Sequence, residues 1–259
     1  MLSIDNIEVL VTDWDETVTE QDTMAVLAEA AYLHKEDFEP TWDYFGDHYF
    51  KDYRKYSDNF ERPRTSLDAE THFLKGLKEV ELSSVRRVEG SKLFANVPEE
   101  AIRAQAGKVP IRSGFWDVLS IVKERGIPVV VISVNWSSAL IQEVLKRRGF
   151  GDVVAVTAND IEMDPTGKGT GRLCGRLHSA HDKLEVLRKV RAEYPGQKLY
   201  YFGDSGTDLL GLLEADVGVI VHKKQLVDRL GELGIQVRHY KERSDNDSLY
   251  YLDEWTSLL

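Results

Sequence analysis

The chain has 259 residues, of which 42% are hydrophobic and 30% charged, with 19 Gly and 7 Pro. These proportions are those of an ordinary folded protein and exclude a collagen-like, low-complexity or largely disordered chain. The excess of 44 acidic over 33 basic residues gives a net charge of −11, which repels phosphate backbones and anionic bilayers, so we expect neither nucleic acid nor a membrane as partner.

The single cysteine, Cys174, has no partner for an intrachain disulfide and cannot form a thiolate metal cage. The first ten residues lack the basic region of a signal peptide, and the longest apolar stretch, near residues 127–134, is far shorter than the ~18 residues of a membrane span. We therefore expect a mature chain in a reducing, cytoplasmic setting.

The chain begins with a predicted buried strand and then changes character. Residues 7–12 are apolar and β-branched and lead into the acidic string DWDET at residues 13–17, which indicates a strand that ends in a functional loop. Between residues 18 and 108 the strand signals vanish and helical periodicity dominates. Examples of this periodicity are residues 22–34, 42–60 and 98–106. We therefore predict an α/β core domain of residues 1–17 and 109–259 with an inserted helical domain of residues 18–108.

Strands and helices alternate in the rest of the chain. The predicted helices are residues 113–125, 137–148, 182–194, 208–213 and 223–233, and the predicted strands are residues 129–134, 153–157, 199–202, 217–221 and 235–238. This alternation predicts a doubly wound, Rossmann-like parallel sheet, whose ligands bind beyond the carboxyl ends of the strands. Residues 164–172 are expected to form a hairpin and not a P-loop, because Gly167-Lys168 lacks the flanking residues of that motif. The polar residues 241–248 should form a surface connection before a short terminal helix.

Four short strings follow predicted strands or begin helices, so the topology brings them to one edge of the sheet. They are residues 13–17, SVN at residues 133–135, Lys183, and GDSGTD at residues 203–208. Asp13 and Asp15 leave an extended strand on the same side, where one carboxylate can attack a substrate while the other transfers a proton. Asp204 and Asp208 add oxygen ligands for a hard divalent ion, and the lack of a Cys/His cage favours Mg²⁺ over Zn²⁺.

In this order, the strings resemble the motifs of the haloacid dehalogenase superfamily of phosphohydrolases: DxDxT, a strand-end serine, a lysine and GDxxxD. The insertion resembles the helical cap of that superfamily. The resemblance implies Mg²⁺-dependent hydrolysis of a phosphomonoester, with Asp13 as the nucleophile that forms an aspartyl-phosphate and Asp15 as the general acid and base. A phosphomutase with the same aspartates and a non-catalytic protein that binds phosphorylated metabolites are the alternatives.

The resemblance also implies the ligands of the metal and of the phosphate group. Mg²⁺ would be held by Asp13, the backbone carbonyl of Asp15, Asp204 and Asp208, the last either directly or through a coordinated water. The phosphate group would be bound by Ser133, Asn135 and Lys183.

The insertion contains a dense aromatic segment: eight of the nineteen residues 42–60 are aromatic, against 10% of the whole chain. Six of the eight recur at steps of three and four, which predicts the buried stripe of a helix. These six are Trp42, Phe45, Tyr49, Tyr53, Tyr56 and Phe60. Tyr44 and Phe50 fall off that stripe, and Trp136 lies beside the second motif, so we predict these three residues as substrate contacts.

The substrate should be a small phosphorylated metabolite. The strings at residues 133–137, 201–205 and 208–216 are similar to the phosphatase domain that is paired with thiamine salvage in plants, which implies thiamine monophosphate. The pattern of phosphoserine phosphatases has glycine after the serine of the second motif, and Val134-Asn135 replaces it here, which argues against phosphoserine.

Overall fold

The computed structural model describes residues 2–242 and 248–259. In chain order its strands are β1 (Val9–Thr12), β2 (Val129–Ile132), β3 (Val154–Thr157), β4 (Asp160–Met163), β5 (Gly169–Cys174), β6 (Leu199–Gly203), β7 (Val217–Val221), β8 (Arg238–His239) and β9 (Leu249–Leu252). Its α-helices are α1 (Met24–His34), α2 (Trp42–Asp58), α3 (Leu67–Ser91), α4 (Glu99–Ala104), α5 (Phe115–Glu124), α6 (Ser138–Arg147), α7 (Ala180–Glu193), α8 (Leu209–Glu214) and α9 (Lys224–Glu232). In this described part of the chain, no helix has both the length and the apolar character needed to cross a membrane.

Seven of these strands form one parallel sheet, in the order β3-β2-β1-β6-β7-β9-β8. The chain fills the sheet outward from β1, first through β2 and β3 and then through β6 and β7 on the other side. The carboxyl end of β1 therefore lies at the switch point where open α/β sheets bind ligands. The sheet and the helices of the insertion confirm the predicted Rossmann-like α/β fold with an inserted helical region.

The central strands are buried on both faces, as a parallel sheet covered by helices requires. All residues of β1 and of β2 are buried. The side chains of β1 alternate between two hydrophobic clusters: Leu10 belongs to one, and Val9 and Val11 belong to the other. The short apolar runs that predicted these strands therefore reflect burial from two sides.

The insertion covers the sheet edge with two pairs of helices. α2 and α3 pack against each other, and the rings of Tyr53, Tyr56 and Phe60 surround the ring of Phe73. α1 and α4 form the other contact pair, and α4 also packs on α6 of the core. The pair α2 and α3 thus forms a separate wall above the sheet edge.

The two segments that join the insertion to the core run side by side. An isolated antiparallel bridge pairs Thr19 with Ile111, and the N–H of Glu20 donates to the carbonyl of Pro110. This stem lies beside the predicted domain boundaries, between residues 17 and 18 and between residues 108 and 109, which stay a prediction.

β4 and β5 form the antiparallel hairpin that the glycine-rich segment predicted. The hairpin pairs with the end of the insertion: the N–H of Gly169 donates to the Val97 carbonyl at 2.9 Å, and the N–H of Asn96 donates to the Gly169 carbonyl at 2.7 Å. A Cβ atom at Gly169 would lie 2.2 Å from the Phe94 carbonyl oxygen, so glycine is required there. The insertion is therefore attached to the core at the hairpin as well as at the stem.

The C-terminal region differs from the prediction. The predicted strand over residues 235–238 is wrong apart from its last residue, which begins β8, and the predicted terminal helix is reduced to one 3₁₀ turn, Trp255–Leu258. The strand β9 was not predicted, because its sequence, LYYL, has no β-branched residue and gains its strand structure by pairing with β7 and burying all four side chains. Residues 243–247 of the predicted surface connection lie outside the described residues.

Candidate active site

The four predicted strings meet at the carboxyl edge of the sheet. Asp13 directly follows β1, and its N–H donates to the Phe202 carbonyl of β6 at 2.9 Å, which ties the start of the loop to the neighbouring strand. Ser133 directly follows β2, and its N–H donates to the Thr157 carbonyl of β3 at 3.0 Å. Asp204 directly follows β6. Backbone hydrogen bonds that extend the sheet therefore fix the positions of these residues.

Lys183 is fully buried between two carboxylates. It lies in the first turn of α7, whose N-cap is Ser179, and its Nζ is 2.7 Å from Asp13 Oδ1 and 2.8 Å from Asp208 Oδ1. Burial alone would lower the pKa of Lys183, but the charges of Asp13 and Asp208 outweigh burial and raise it. The ammonium group therefore stays protonated and holds the two loops together.

Asp208 accepts hydrogen bonds on both carboxylate oxygens. Oδ1 accepts from Lys183 Nζ and from the Tyr201 hydroxyl, both at 2.8 Å, and Oδ2 accepts from the N–H groups of Asp204 and Ser205 and from the Ser205 hydroxyl. Burial raises the pKa of Asp208, but the Lys183 charge and these hydrogen bonds outweigh burial and lower it. Asp208 thus stays ionised and orients the loop that carries Asp204.

Three carboxylates form a buried cluster that could hold a metal ion. Asp13, Asp204 and Asp208 each offer one oxygen, and these oxygens lie within 4.8 Å of one another. Burial and the Asp208 charge raise the pKa of Asp13 well above its ordinary value and that of Asp204 to about 7. Lys183 alone does not compensate three buried carboxylates, and an all-oxygen donor set suits a hard divalent cation. The residues present therefore fit a metal ion such as Mg²⁺.

Thr17, the last residue of the DxDxT string, links the two acidic loops. Its hydroxyl donates to Asp204 Oδ1 at 2.9 Å and is fully buried. This contact connects the loop after β1 to the loop after β6 across the metal-binding cluster.

Asp15 is held apart from this cluster. Its Oδ1 accepts from the N–H of Thr23 at 2.8 Å and from the Thr23 hydroxyl, and its Oδ2 accepts from Asn135 Nδ2 at 2.8 Å. Burial raises the pKa of Asp15, although the hydrogen bonds from Thr23 and Asn135 oppose that rise. The Asp15 side chain is therefore held in one orientation and is not among the carboxylates of the cluster.

Asn135, a predicted phosphate ligand, contacts Asp15 and Thr23 in the structure. Its Nδ2 donates to Asp15 and, at 3.0 Å, to the Thr23 hydroxyl, and its Oδ1 accepts from the Ser137 N–H at 3.0 Å. Both amide hydrogens are therefore engaged by Asp15 and Thr23, and the assignment of Asn135 to the phosphate group stays a prediction. Ser133 Oγ accepts a hydrogen bond from the Asn135 N–H at 3.1 Å. The Ser133 hydroxyl hydrogen has no acceptor among the described residues.

A cavity of about 370 Å³ lies between the sheet edge and the wall formed by α2 and α3. From the core, Glu16 and the loop of Asp204 line it. From the insertion, it is lined by the side chains of Tyr49, Tyr53, Arg64, Glu70, Phe73 and Glu81. This cavity is the space next to Asp204 in which the rest of a bound substrate would lie.

The aromatic residues that line the cavity are not the predicted ones. Tyr44 and Phe50 are 39% and 58% exposed and do not line it, whereas Tyr49 and Tyr53 do. The inner face of α2 both packs on α3 and borders the cavity, so residues on the predicted buried stripe are the ones that line it. The assignment of Tyr44, Phe50 and Trp136 as substrate contacts stays a prediction. Trp136 is buried and its ring packs edge-on against Trp42 with centroids 6.4 Å apart, which places it in the hydrophobic core.

One cation of the site was not predicted from the sequence. Lys223, just before α9, has its Nζ 2.6 Å from Glu16 Oε1 and 3.9 Å from Asp204 Oδ2. Glu16 has a left-handed backbone conformation, with φ of 58°, which turns the chain directly after Asp15. No sequence motif marks Lys223, because a lysine at a helix start resembles any solvated lysine.

Comparison with known proteins identifies the family. The sequence profile of the haloacid dehalogenase-like hydrolases matches residues 10–212, so the chain belongs to this family. It is 27% identical to a CTO1 family protein of Schizosaccharomyces pombe, over 83% of this chain and 82% of that protein. It is also 25% identical to the bifunctional TH2 protein, mitochondrial, of Arabidopsis thaliana, over 86% of this chain and 41% of that protein.

The fold is similar to that of a solved phosphatase. A substrate-bound phosphoserine phosphatase complex aligns with a TM-score of 0.56 and 16% sequence identity, covering 88% of this chain and 91% of that chain. Likeness at this level of identity concerns the fold. This likeness confirms the predicted haloacid dehalogenase core with its cap, and the family match confirms the prediction of a haloacid dehalogenase-type hydrolase.

Proposed function

We propose that the protein is a Mg²⁺-dependent phosphomonoester hydrolase that acts on a small phosphorylated metabolite through an aspartyl-phosphate on Asp13. One observation carries this proposal: the Asp13 carboxylate lies 2.7 Å from the buried Lys183 ammonium, while Asp15, two residues on, is held separately by Thr23 and Asn135. A nucleophile and a proton donor in distinct, fixed surroundings are what a two-step transfer needs.

In the first step, an Asp13 carboxylate oxygen bonds to phosphorus and the bond between phosphorus and the leaving oxygen breaks. Asp15, whose pKa is raised by burial, donates its proton to that leaving oxygen, so the product is a neutral alcohol. Lys183 offsets the repulsion between the Asp13 carboxylate and the anionic phosphate group.

In the second step, Asp15 acts in the opposite direction. Its carboxylate accepts a proton from a water molecule as the water oxygen bonds to phosphorus, and the bond between phosphorus and Asp13 breaks. Inorganic phosphate leaves and Asp13 and Asp15 return to their starting states. The hydrogen bonds from Thr23 and Asn135 keep the same carboxylate in place for both proton transfers.

Mg²⁺ would be held by Asp13 and Asp204, with Asp208 at the edge of the group because its oxygens already accept five hydrogen bonds. When bound, the ion supplies positive charge against the phosphate oxygens and the clustered carboxylates. Ser133, with a hydroxyl hydrogen that no described group accepts, and Lys183 would bind the phosphate oxygens.

The cavity of about 370 Å³ supports a small metabolite as the substrate. We propose thiamine monophosphate as the particular substrate to test first, because residues 133–137 and 201–205 are similar to the plant phosphatase domain that is paired with thiamine salvage.

The test is phosphate release with and without Mg²⁺ from a panel of thiamine monophosphate, phosphoserine, sugar phosphates and a chromogenic aryl phosphate. We expect Mg²⁺-dependent release that disappears in Asp13→Asn and persists in Asp58→Asn, a matched change at an exposed residue of α2. Isomerised sugar phosphate without free phosphate would favour a phosphomutase, and binding of the panel without turnover would favour a non-catalytic protein; either result contradicts the proposal.

A further inference from the structure

Among the residues that the structure describes, one carboxylate of the cavity beside the candidate active site has no cation paired with it. Glu70 is paired with Arg64 and with Arg229, both at 2.5 Å, and Glu16 is paired with Lys223 at 2.6 Å. These pairs occupy the lysine and arginine side chains of the cavity wall. The remaining wall carboxylate outside the metal-binding cluster is Glu81.

Glu81 lies on α3 and faces the cavity. Its carboxylate accepts a hydrogen bond from the Tyr49 hydroxyl at 2.7 Å, and within residues 2–242 and 248–259 no ion pair joins it to a Lys, Arg or His. Burial and the nearby Asp22 charge raise the pKa of Glu81 to about 7, which is the behaviour of a carboxylate that lacks a counter-ion. A positive charge in the cavity would supply that counter-ion.

Two tyrosine rings extend from Glu81 along the same wall. Tyr49 and Tyr53 are one helical turn apart on α2, with ring centroids 6.5 Å apart and planes inclined by 29°. The Tyr53 ring is fixed edge-on by Phe73, at 6.4 Å and 86°, and the Tyr49 ring is fixed by its hydrogen bond to Glu81. Both rings line the cavity and are held in place beside the Glu81 carboxylate.

A ring surface beside a carboxylate is the chemistry that recognises a flat cation. A cation within about 6 Å of a tyrosine ring centroid is attracted by the ring face, and the attraction is stronger where water is excluded. Arg64 cannot supply this cation, because its guanidinium group is held by Glu70 and stacks 3.7 Å above the Phe73 ring. Burial lowers the pKa of His178, another wall residue, which keeps that imidazole neutral.

We infer that Glu81, with the rings of Tyr49 and Tyr53, forms a leaving-group subsite that selects phosphate esters of flat, positively charged alcohols. The inference rests on the proposed phosphatase function, because it assigns the part of the substrate that lies beyond the phosphate group. Neutral alcohols of the same shape would leave Glu81 without a counter-ion and would be turned over less efficiently.

The test compares two substrates of the same shape that differ by one positive charge: N-methylpyridinium-methyl phosphate and methylbenzyl phosphate, both as meta isomers. In the wild-type protein we expect kcat/KM to be at least about tenfold higher for the cationic ester. Glu81→Gln should bring the ratio of the two kcat/KM values close to one. Glu79→Gln removes an exposed charge two residues away on the same helix and should keep the wild-type ratio. Because both variants change the net charge of the protein equally, this control separates the effect of Glu81 from that of net charge.

Binding of the two free alcohols, measured by calorimetry, tests the subsite without catalysis. Tighter binding of the cationic alcohol that is lost in Glu81→Gln supports the inference even if no ester is hydrolysed, and in that case only the proposed function fails. Hydrolysis of both esters with equal kcat/KM in the wild-type protein, or an unchanged ratio in Glu81→Gln, overturns the subsite while the phosphatase stands. Circular dichroism of both glutamine variants shows whether each is folded before its ratio is interpreted.

Discussion

The carboxyl edge of the sheet and the wall formed by α2 and α3 enclose one cavity, but they hold charged groups in different ways. At the sheet edge, Lys183 lies between two carboxylates and Asp208 accepts five hydrogen bonds. On the wall, Glu81 accepts one hydrogen bond, from Tyr49, and no ion pair joins it to a cation among the described residues. Phosphoryl transfer needs catalytic side chains that are already held in place before the substrate binds. Selection of a leaving group needs only a few contacts on the wall, and these can change without disturbing the catalytic side chains.

The largest effect should follow from breaking the sheet edge at Lys183. Lys183→Met leaves Asp13 and Asp208 buried without their cation, so we expect phosphate release to fall about a thousandfold and the free energy of unfolding to fall by about 3–5 kcal/mol. Lys189→Met, at an exposed position of α7, is the matched control. Steady-state kinetics and urea unfolding measure both effects, and Lys183→Arg, which keeps the charge, separates loss of folding from loss of rate. A folded Lys183→Met protein with wild-type turnover would contradict this role.

A smaller loss should follow from releasing Asp15. Asn135→Ala removes the amide group that donates one hydrogen bond to Asp15 and one to the Thr23 hydroxyl. We therefore expect kcat to fall about ten- to hundredfold with little change in KM. The pH profile of kcat should also shift to higher pH, because the hydrogen bond from Asn135 opposes the rise of the Asp15 pKa and its loss lets that pKa rise further. A higher KM with unchanged kcat would instead support the prediction that Asn135 binds the phosphate group. Asn59→Ala, at the exposed end of α2, serves as the control.

The carboxylate cluster should make the stability of the metal-free protein depend on pH. Asp204, whose pKa is raised from 3.8 to about 7 by burial and by Asp208, holds its proton in the fold over a range in which the unfolded chain releases it. Stability of the metal-free protein should therefore fall as pH rises from about 4 to about 7, and Mg²⁺ should raise Tm more above pH 7 than below pH 5. Thermal unfolding with Mg²⁺ and with chelator measures this difference. An equal Mg²⁺ effect at both pH values would exclude the cluster as the metal site.

The smallest effect should come from the ring surface of the wall. Tyr53→Leu removes one ring face from the cavity and should lower kcat/KM for the preferred substrate about three- to tenfold, while Tyr44→Leu, at a ring outside the cavity, should leave it unchanged. Michaelis–Menten kinetics of the two variants provide the comparison. Greater sensitivity at Tyr44 than at Tyr53 would show that the insertion closes over the substrate with a different face.

The sheet edge could be predicted from the sequence because its residues follow strands directly. Once the chain alternates between strands and helices, a parallel sheet brings Asp13, Ser133 and Asp204 to the same edge, whatever the details of packing. The position of Asn135 was also predicted, but its partner was not. Thr23 reaches Asp15 only because the chain turns after Glu16, and no residue pattern marks that contact.

The wall was harder to predict because the inner face of α2 both packs on α3 and lines the cavity. Periodicity correctly groups Tyr49 and Tyr53 on one side of α2, but it does not distinguish the part of that side that packs on α3 from the part that borders a cavity. The 25-residue helix α3 lies within the block predicted to be helical, but its bounds were not predicted, since charged residues interrupt its apolar positions. One of those charged residues is Glu70, whose burial depends on Arg229 of α9. Contacts between distant elements of this kind leave no local pattern in the sequence.

Capture of the covalent intermediate is the most direct test of the proposed phosphatase mechanism. The protein is mixed with a chromogenic phosphate ester and Mg²⁺, quenched in acid within one turnover, digested and mapped by mass spectrometry. We expect a phosphoryl group on the peptide that contains Asp13, and none in Asp13→Asn treated in the same way. Turnover with no phosphorylated peptide, or with the phosphoryl group on a residue other than Asp13, would contradict the proposed mechanism.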